Sequence, residues 1–417
     1  MGRQKSSFFF LLFALFLLPL FSSAPSLAAP PLKVGVLQPL TGKYSEAGQA
    51  QKAGAEFVAE QINAAGGIKA LGGARIQLVV ADTTSEPAPI AGEMERLCAV
   101  EKVSVVHGPY ATTESNSSAP VGERYGIPNL SIQSTGDSLY PLKLKFWRTI
   151  SMATSDVGRF YVSTLQKLIQ EFKVKHDRIA LLYPNNDYGK ICIGKAAKED
   201  LQKLGFKIVM DLPYDWRAAD LSPMMLKLKG TNPEVVIQAA YLADGIASHK
   251  ARFATDLYPT VIGGITGYSN IKLWRLLGDE IARKTLQAGF FGSAWYDEGI
   301  PYNPLQEFLK KAKPWAKAKG LELDDAFVFG AQGMLAVREA AEKARSADPK
   351  AINEAFRKLS IPKGSPSLIL SMYDPALQWD EVGRPLNAIL LVIQWNEGKK
   401  EIIYPKEHRT ALPKLSQ

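Results

Sequence analysis

Two short segments that follow β-branched, apolar runs are rich in hydroxyl and amide groups. They are GPYATTES, which supplies Tyr110, Ala111, Thr112 and Thr113, and SIQSTG, which supplies Gln133, Ser134 and Thr135. If each run is a strand of a parallel sheet, both segments lie at its carboxyl edge, where the N–H groups of helix N-termini point outward. Such loops can hold an anion. The alternative is that each hydroxyl only caps the helix that follows, a common use of these residues.

Aromatic side chains stand at the ends of two further apolar runs. Tyr188 lies in DYG, shortly after RIALLYP, and Tyr241 lies in AAYLAD at the end of EVVIQAA, with Asp244 three residues later. Tyrosine rings suit pockets for small molecules because they combine an apolar face with a hydroxyl group. The same tyrosines could equally belong to the core or to the rim of a lobe.

The sequence offers little support for catalysis or for metal binding. Its histidines are His107, His176, His249 and His408, and they are scattered singly along the chain. No HExxH, GxSxG or Walker-type motif is present. We therefore expect no catalytic residue, no metal site and no cofactor. His107, beside the GPYATT loop, is more simply explained as a structural residue.

The elements that position these groups are short strands alternating with helical patterns, which is typical of parallel sheets built from βαβ units. One series of strands is predicted by LKVGVL from Leu32, IQLVVAD from Ile76, VSVVHG from Val103 and IPNLSI from Ile127. A second series is predicted by RIALLYP from Arg178, KIVMDLPY from Lys207, EVVIQAA from Glu234 and TVIGGI from Thr260. Two series of this kind predict two α/β lobes.

The N-terminal residues have the pattern of a secretory signal peptide. Arg3 and Lys5 precede an unbroken apolar run from Phe8 to Leu20, which is too short to span a bilayer as a helix. A small-residue stretch follows, and we expect cleavage after Ala28, so that residues 1–28 are removed. No cysteine lies near this point to accept a lipid. We expect an exported chain without a lipid anchor or a stable membrane insertion.

Bulk composition supports two lobes and argues against nucleic acid as a partner. The chain has 417 residues, and the part that remains after the leader is longer than one core usually supports. Its net charge of +9 is spread without a dense basic block, which is typical of a solvated surface. Cys98 and Cys192 are expected in different lobes, so a disulfide between them is not expected.

Several segments, taken in order, resemble one family. They are LQPLTGKYSEAGQAQKAGAEFVAEQINAAGGI, VVADTTSEPAPIAGEMERL, VVHGPYATTESNSSAP, YGIPNLSIQSTG, RIALLYPNNDYGK, ADLSPMMLKLKGTNPEVVIQAAYLADGI and VIQWNEGKKEIIYP. Together they resemble the type I periplasmic binding proteins of ABC transporters, particularly the leucine/isoleucine/valine-binding branch. The resemblance covers the chain from about Leu32 nearly to its end. No single motif is specific, but their order and spacing are.

The resemblance implies a fold of two Rossmann-like α/β lobes with parallel central sheets, joined by a three-segment hinge after the cleaved leader. Lobe one is expected to comprise residues 32–152 and 290–384, and lobe two residues 153–289 and 385–417. The chain would cross between the lobes near Met152, near Phe290 and near Arg384. The long helical pattern from Ala326 to Ala344 would return to lobe one.

The resemblance also implies roles for the candidate residues. The hydroxyls of Thr112 and Thr135 match positions that hold a ligand carboxylate, with Ala111, Gln133 and Ser134 contributing nearby backbone groups. Tyr188 and Tyr241 would close over the ligand from lobe two. Phe327 matches a further apolar contact, and Trp295 is expected to line the cleft.

Two positions depart from the family pattern. Amino-acid-binding members carry a glutamate that pairs with the ligand ammonium, where this chain has Ile265. The family tyrosine near the first helix aligns with Ala47, and Tyr44 is close enough to substitute. An α-amino acid would need another carboxylate, because a buried ammonium without a counter-charge is costly. Asp244 is the candidate; if it does not face the ligand, an acid or amide without an ammonium group is expected.

The function implied is that of the periplasmic substrate-binding component of an ABC importer. Such a protein is expected to act as a monomer, to bind a branched-chain or neutral amino acid or a similar small carboxylate by hinge closure, and to deliver it to the permease subunits. The alternative is a ligand-sensing protein for an aromatic acid or amide that signals to a membrane receptor.

Overall fold

The computed structural model describes residues 1–2, 29–265, 267–287 and 289–416. The leader predicted over residues 1–28 lies almost wholly outside these ranges. The strands are β1 Leu32–Gln38, β2 Ile76–Asp82, β3 Val105–His107, β4 Asn129–Ser131, β5 Trp147–Thr149, β6 Ile179–Pro184, β7 Ile208–Tyr214, β8 Val235–Gln238, β9 Thr260–Gly263, β10 Phe290–Ala294, β11 Ser360–Pro362, β12 Ala376–Gln378, β13 Leu391–Asn396 and β14 Lys399–Tyr404.

The helices lie between these strands, with short π-helical segments at Arg96–Val100, Lys190–Ala197 and Arg283–Gln287. The α-helices are α1 Ser45–Ala64, α2 Pro87–Glu95, α3 Thr112–Tyr125, α4 Thr154–Phe172, α5 Asp187–Gly189, α6 Lys198–Lys203, α7 Ser222–Gly230, α8 Leu242–Ala254, α9 Leu273–Leu277, α10 Asp279–Ala282, α11 Asn303–Ala318, α12 Asp325–Ala344 and α13 Pro349–Arg357. Within the described residues, no helix combines the length and the apolar composition that crossing a bilayer requires.

The strands form two main sheets, one in each lobe, and the expected fold class is confirmed. The sheet of lobe one has the order β2-β1-β3-β4-β5 and is parallel throughout. The sheet of lobe two has the order β14-β13-β10-β9-β8-β6-β7. The strands from β10 to β7 are parallel, and β13 pairs antiparallel with both β10 and β14. β11 and β12 form a separate pair. Parallel strands covered by helices on both faces are continuously apolar, as IALLYP in β6 illustrates.

The chain passes between the sheets in three places: between β5 and α4, after β10, and between β12 and β13. The second crossing comes later than the sequence predicted. Phe290–Ala294 pairs parallel with β9 and antiparallel with β13, so this strand belongs to lobe two and not to lobe one. All five residues of the strand are buried in that sheet.

Close contact between α1 and α12 holds lobe one together. A Cβ atom on Gly54 would lie 2.1 Å from the carbonyl oxygen of Phe327, and one on Gly330 would lie 2.1 Å from the carbonyl oxygen of Gln51. Only glycine allows the two helix backbones to approach this closely. The helix that begins at Asp325 is therefore fixed against the first helix of the lobe.

Both cysteines are free and buried, as expected for thiols in different lobes. Cys98 packs with Ile90, Met94 and Leu97. Burial raises the pKa of the Cys98 thiol to about 12, so it is neutral under ordinary conditions.

His249 of α8 is the buried group in lobe two that most clearly disfavours protonation. Its ring meets Tyr268 and Phe290 edge-on, with centroids 4.9 and 5.1 Å away. Neither ring nitrogen has a hydrogen-bond partner within the described ranges. Burial, with the nearby Arg252 cation, lowers the pKa of His249 well below its usual value.

We expect His249 to make the fold less stable below pH 6.5. The unfolded chain takes up a proton at this pH and the native state does not, so the contribution of His249 is lost as the pH falls. At pH 5 the loss reaches at most about 2 kcal/mol. Urea unfolding at pH 7 and pH 5 of the wild type and of His249→Phe measures it. An equal change of midpoint in both proteins would contradict the prediction.

Candidate functional site

The loops after β3 and β4 meet at the carboxyl edge of the lobe-one sheet. These strands are neighbours and parallel, so the loops that follow them lie side by side. The Oγ1 atoms of Thr112 and Thr135 are 3.1 Å apart, and both side chains are buried. Thr112 is the first residue of α3, a helix of 14 residues whose positive end faces this point. The hydroxyl pair and the helix N-terminus together can hold an anion.

A cavity lies between this hydroxyl pair and lobe two, and we call it the inner cavity. It is small: the centre of a water-sized sphere can occupy only about 20 Å³ of it. Lobe one lines it with Tyr110, Ala111, Thr112, Gln133 and Thr135, and lobe two with Tyr188, Tyr241, Ile265 and Trp295. Each of these residues is no more than 7% exposed. A molecule in the inner cavity would therefore be almost completely removed from water.

The inner cavity offers hydrogen-bond donors but no ionised group among the described residues that line it. The indole Nε1 of Trp295 is buried and has no hydrogen-bond partner in the described part of the chain. The Oε1 atom of Gln133 accepts a hydrogen bond of 2.8 Å from Gln51, which leaves the amide nitrogen as a donor. Buried donors of this kind need an acceptor, and a carboxylate supplies one.

Aromatic rings from both lobes close over the inner cavity. The Tyr241 ring lies 5.3 Å from Tyr188, 6.4 Å from Tyr110 and 4.9 Å from Tyr44, measured between centroids. Burial raises the pKa of Tyr241 well above its usual value, so its phenol is neutral. Because Tyr44 and Tyr110 belong to lobe one and Tyr241 to lobe two, these contacts are made only when the lobes are together.

A second cavity adjoins the first at the mouth of the cleft, and we call it the outer cavity. It is the larger of the two, since the centre of a water-sized sphere can occupy about 150 Å³ of it, and it shares Tyr110, Gln133 and Tyr241 with the inner cavity. Glu46 in its lining pairs with Lys272 of lobe two at 3.0 Å. The Oδ2 atom of Asp325 accepts a hydrogen bond from Ser269. Its buried Oδ1 atom has no hydrogen-bond partner among the described residues and lies 3.9 Å from the Nζ atom of Lys400.

The expected role of Asp244 needs correction. Its Oδ1 atom accepts a hydrogen bond from the backbone N–H of Tyr241 at 3.0 Å, and its Oδ2 atom accepts one from the Tyr214 hydroxyl at 2.6 Å. It lines neither cavity. Burial raises its pKa to about 6, opposed by the Tyr214 hydrogen bond and by the charge of Lys43. Asp244 caps α8 and holds Tyr241 in place, so both its oxygens are occupied.

Three other expected residues also lie outside the cavities. Thr113 is half-buried as the second residue of α3. Ser134 is fully buried, and its carbonyl accepts a hydrogen bond from Thr149. Phe327 packs in the core of lobe one against Phe57, Phe308 and Trp315. Phe329, two residues later on α12, meets the ring of Trp295 edge-on at 5.2 Å but lines neither cavity itself.

The site also contains residues that the sequence patterns did not single out. Lys43 and Glu46 line the outer cavity from the start of α1, and Asp324 lines it from the cap of α12. The position of Lys43 and Glu46 beyond the end of β1 is a signal that could have found them. The described residues contain no group of three or more His, Cys, Asp or Glu side chains that could hold a metal ion.

The sequence profile of the periplasmic binding protein family matches residues 31–399, which is most of the chain. The chain belongs to this family. Among curated relatives, the Leu/Ile/Val-binding protein homolog 7 of Brucella abortus is 25% identical over 386 residues, which cover 91% of this chain and 92% of the relative. Together these place it among the type I periplasmic binding proteins of the Leu/Ile/Val-binding-protein-like family.

Two solved structures share the fold of this periplasmic binding protein. One is the substrate-binding protein of a branched-chain amino acid transporter from Streptococcus pneumoniae, in complex with isoleucine. It superposes with a TM-score of 0.75 at 19% identity, and the match covers 90% of this chain and 100% of that protein. A solute-binding protein of an ABC transporter from Rhodopseudomonas palustris, in complex with benzoate, has a TM-score of 0.73 at 17% identity, with coverage of 93% and 98%.

We expect Asp244→Ala to destabilise this binding protein, because the substitution leaves the Tyr241 N–H buried without its acceptor and leaves the Tyr214 hydroxyl only the carbonyl of Ala239. The cost is about 1–3 kcal/mol. Thermal unfolding without added ligand measures it, and Asp215→Ala, at an exposed position beyond the end of β7, is the control. Unchanged stability of Asp244→Ala would show that the carboxylate is not a structural cap.

Proposed function

We propose that this protein is the periplasmic substrate-binding component of an ABC importer, exported with removal of residues 1–28. In this proposal it captures a small carboxylate without an α-ammonium group between its lobes and presents the closed form to permease subunits. Its relatives and structural neighbours are solute-binding proteins, which supports binding as its activity. The observation that carries the choice of ligand is the composition of the inner cavity.

The carboxylate in this proposal lies at the hydroxyls of Thr112 and Thr135, at the N-terminus of α3. The orphan indole N–H of Trp295 and the amide nitrogen of Gln133 supply further donors. Ionised acceptors form hydrogen bonds about twice as strong as neutral ones. Donors with no carboxylate beside them among the described lining residues therefore favour an anion.

The rest of the inner cavity suits an uncharged body. An α-amino acid would place its ammonium beside Ile265 and the tyrosine rings, and no carboxylate among the described lining residues is there to pair with it. Burying an unpaired ammonium costs several kcal/mol. Asp244 lines neither cavity, and its carboxylate holds the Tyr241 N–H and the Tyr214 hydroxyl. An aromatic or aliphatic acid avoids this cost and fills the space between the rings.

The neighbours bind both kinds of ligand. The protein from Streptococcus pneumoniae holds isoleucine and that from Rhodopseudomonas palustris holds benzoate, so the fold by itself does not choose between them. The neutral lining of the inner cavity favours the second kind for this chain.

A thermal-shift panel tests the ligand class. We expect benzoate or a short aliphatic carboxylate to raise the unfolding temperature, since a ligand at a hundred times its Kd stabilises the native state by about 2.7 kcal/mol. Isoleucine, leucine and the uncharged control benzamide should give no shift at equal concentration. A shift with isoleucine and none with the acids would reject the proposed ligand class, while no shift with any small solute would reject the function.

The hydroxyl pair is tested by Thr112→Val combined with Thr135→Val. These isosteric changes remove the hydrogen bonds to the carboxylate, and we expect the affinity for the acid that binds in the panel to fall at least roughly tenfold. Thr113→Val is the matched control, because this threonine is on the same helix but outside the cavity. Titration calorimetry gives the affinities, and equal affinity in the double variant and the control would place the ligand elsewhere.

A further inference from the structure

A loop of lobe two reaches across the mouth of the cleft to lobe one. It follows β7 and contains Asp215, Trp216 and Arg217. The ring of Trp216 stacks on that of Tyr44 in lobe one, with centroids 5.3 Å apart and planes inclined by only 9°. Trp216 lines neither cavity. It therefore contacts the wall of the site from outside.

Charged groups surround this stack. The Nζ atom of Lys43, in lobe one, lies 4.9 Å from the centroid of the Trp216 ring, and the guanidinium of Arg217 lies 4.4 Å from it. Arg217 also pairs with Glu86 of lobe one at 3.5 Å. Each contact contributes modestly, but the Tyr44 stack, the Lys43 contact and the Arg217–Glu86 pair all join the two lobes, while the contact of Arg217 with Trp216 lies within the loop.

The Tyr44 ring transmits these contacts to the cavities. It lines the outer cavity and lies 5.7 Å from Tyr110 and 4.9 Å from Tyr241, which line both cavities. A ligand enclosed by the buried residues of the inner cavity leaves only when the lobes separate. Separation breaks the Trp216 stack, so the stack contributes to the barrier for release.

We propose that Trp216, with Arg217, is an interlobe latch that sets how long the protein retains its ligand without touching that ligand. The proposal rests on the binding function proposed above. A contact made only in the closed state favours that state by its own free energy. Removing it accelerates opening and leaves the encounter of the ligand with the open cleft unchanged. Trp216 is thus a positioning residue, distinct from the residues that line the cavities.

The kinetic test compares Trp216→Ala with Trp315→Ala. Trp315 is likewise half-buried, contacts the ring of Phe57 with centroids 5.3 Å apart and has Lys319 over its face, but these partners are all in lobe one. The probe is whichever of benzoate, butyrate and isoleucine gives the largest thermal shift. We expect Trp216→Ala to raise the dissociation rate about tenfold with the association rate within about twofold of wild type, and Trp216→Phe to restore slow release. An unchanged dissociation rate, or an equal increase in Trp315→Ala, would overturn the latch.

A second measurement needs no ligand. The paired variant Glu86→Cys with Arg217→Cys places two thiols on opposite sides of the seam, while the native Cys98 and Cys192 are buried and react slowly. We expect a short bismaleimide to link the two positions within one chain, and the added change Trp216→Ala to slow this linking severalfold. Equal rates with and without Trp216 would reject the latch even if no probe binds. Slower linking together with failure of every probe would leave the latch standing and reject the proposed ligand class.

Discussion

The adjacency of β3 and β4 is the constraint on which the cleft depends. Because these parallel strands end at the same edge, the hydroxyls of Thr112 and Thr135 come within 3.1 Å of each other beside the start of α3. The Thr135 hydroxyl is also hydrogen-bonded to that of Thr154, the first residue of α4, at the point where the chain has entered lobe two. The hydroxyl pair is therefore connected directly to one of the places where the chain crosses between the lobes.

Charge around the cleft is largely settled by pairing within the protein. Glu46 has Lys272, Asp325 has Ser269 and Lys400, and Asp244 has the N-terminus of α8 and a tyrosine hydroxyl. What remains in the inner cavity is a set of donors between neutral rings. Selectivity in such a site comes less from attraction than from the absence of a partner for a buried cation. The ion pair between Glu46 and Lys272 also contributes to contact between the lobes.

The fold was largely predictable from the sequence because alternating strand and helix patterns determine parallel α/β lobes, and strand ends indicate where a site forms. Thr112, Thr135, Tyr188 and Tyr241 were found by that rule. Phe327 was not predictable in the same way, since its direction depends on how closely Gly330 lets α12 approach α1. Neighbouring residues of a helix face different surroundings, and only the packing decides that Phe329 meets Trp295.

Other differences between the sequence predictions and the structure arise where one residue type can serve two purposes. An aspartate three residues after the start of a helix looks the same in sequence whether it caps the helix or faces a ligand, and for Asp244 the local hydrogen bonds decide. The strand Phe290–Ala294 lies beside a crossing, and its membership depends on pairing with β13, about a hundred residues later. No sequence pattern predicts that Trp216 stacks on Tyr44, because that contact joins two different lobes.

The three crossings also bear on the order in which the chain can fold. Lobe one lacks α12 until residue 344 is available, and the sheet of lobe two lacks its antiparallel strands until residue 404 is available. Neither half is a continuous segment, so neither lobe is complete until the chain has crossed between them more than once. Contacts between residues far apart in sequence form slowly. The last steps of folding therefore join segments that are synthesised far apart in time.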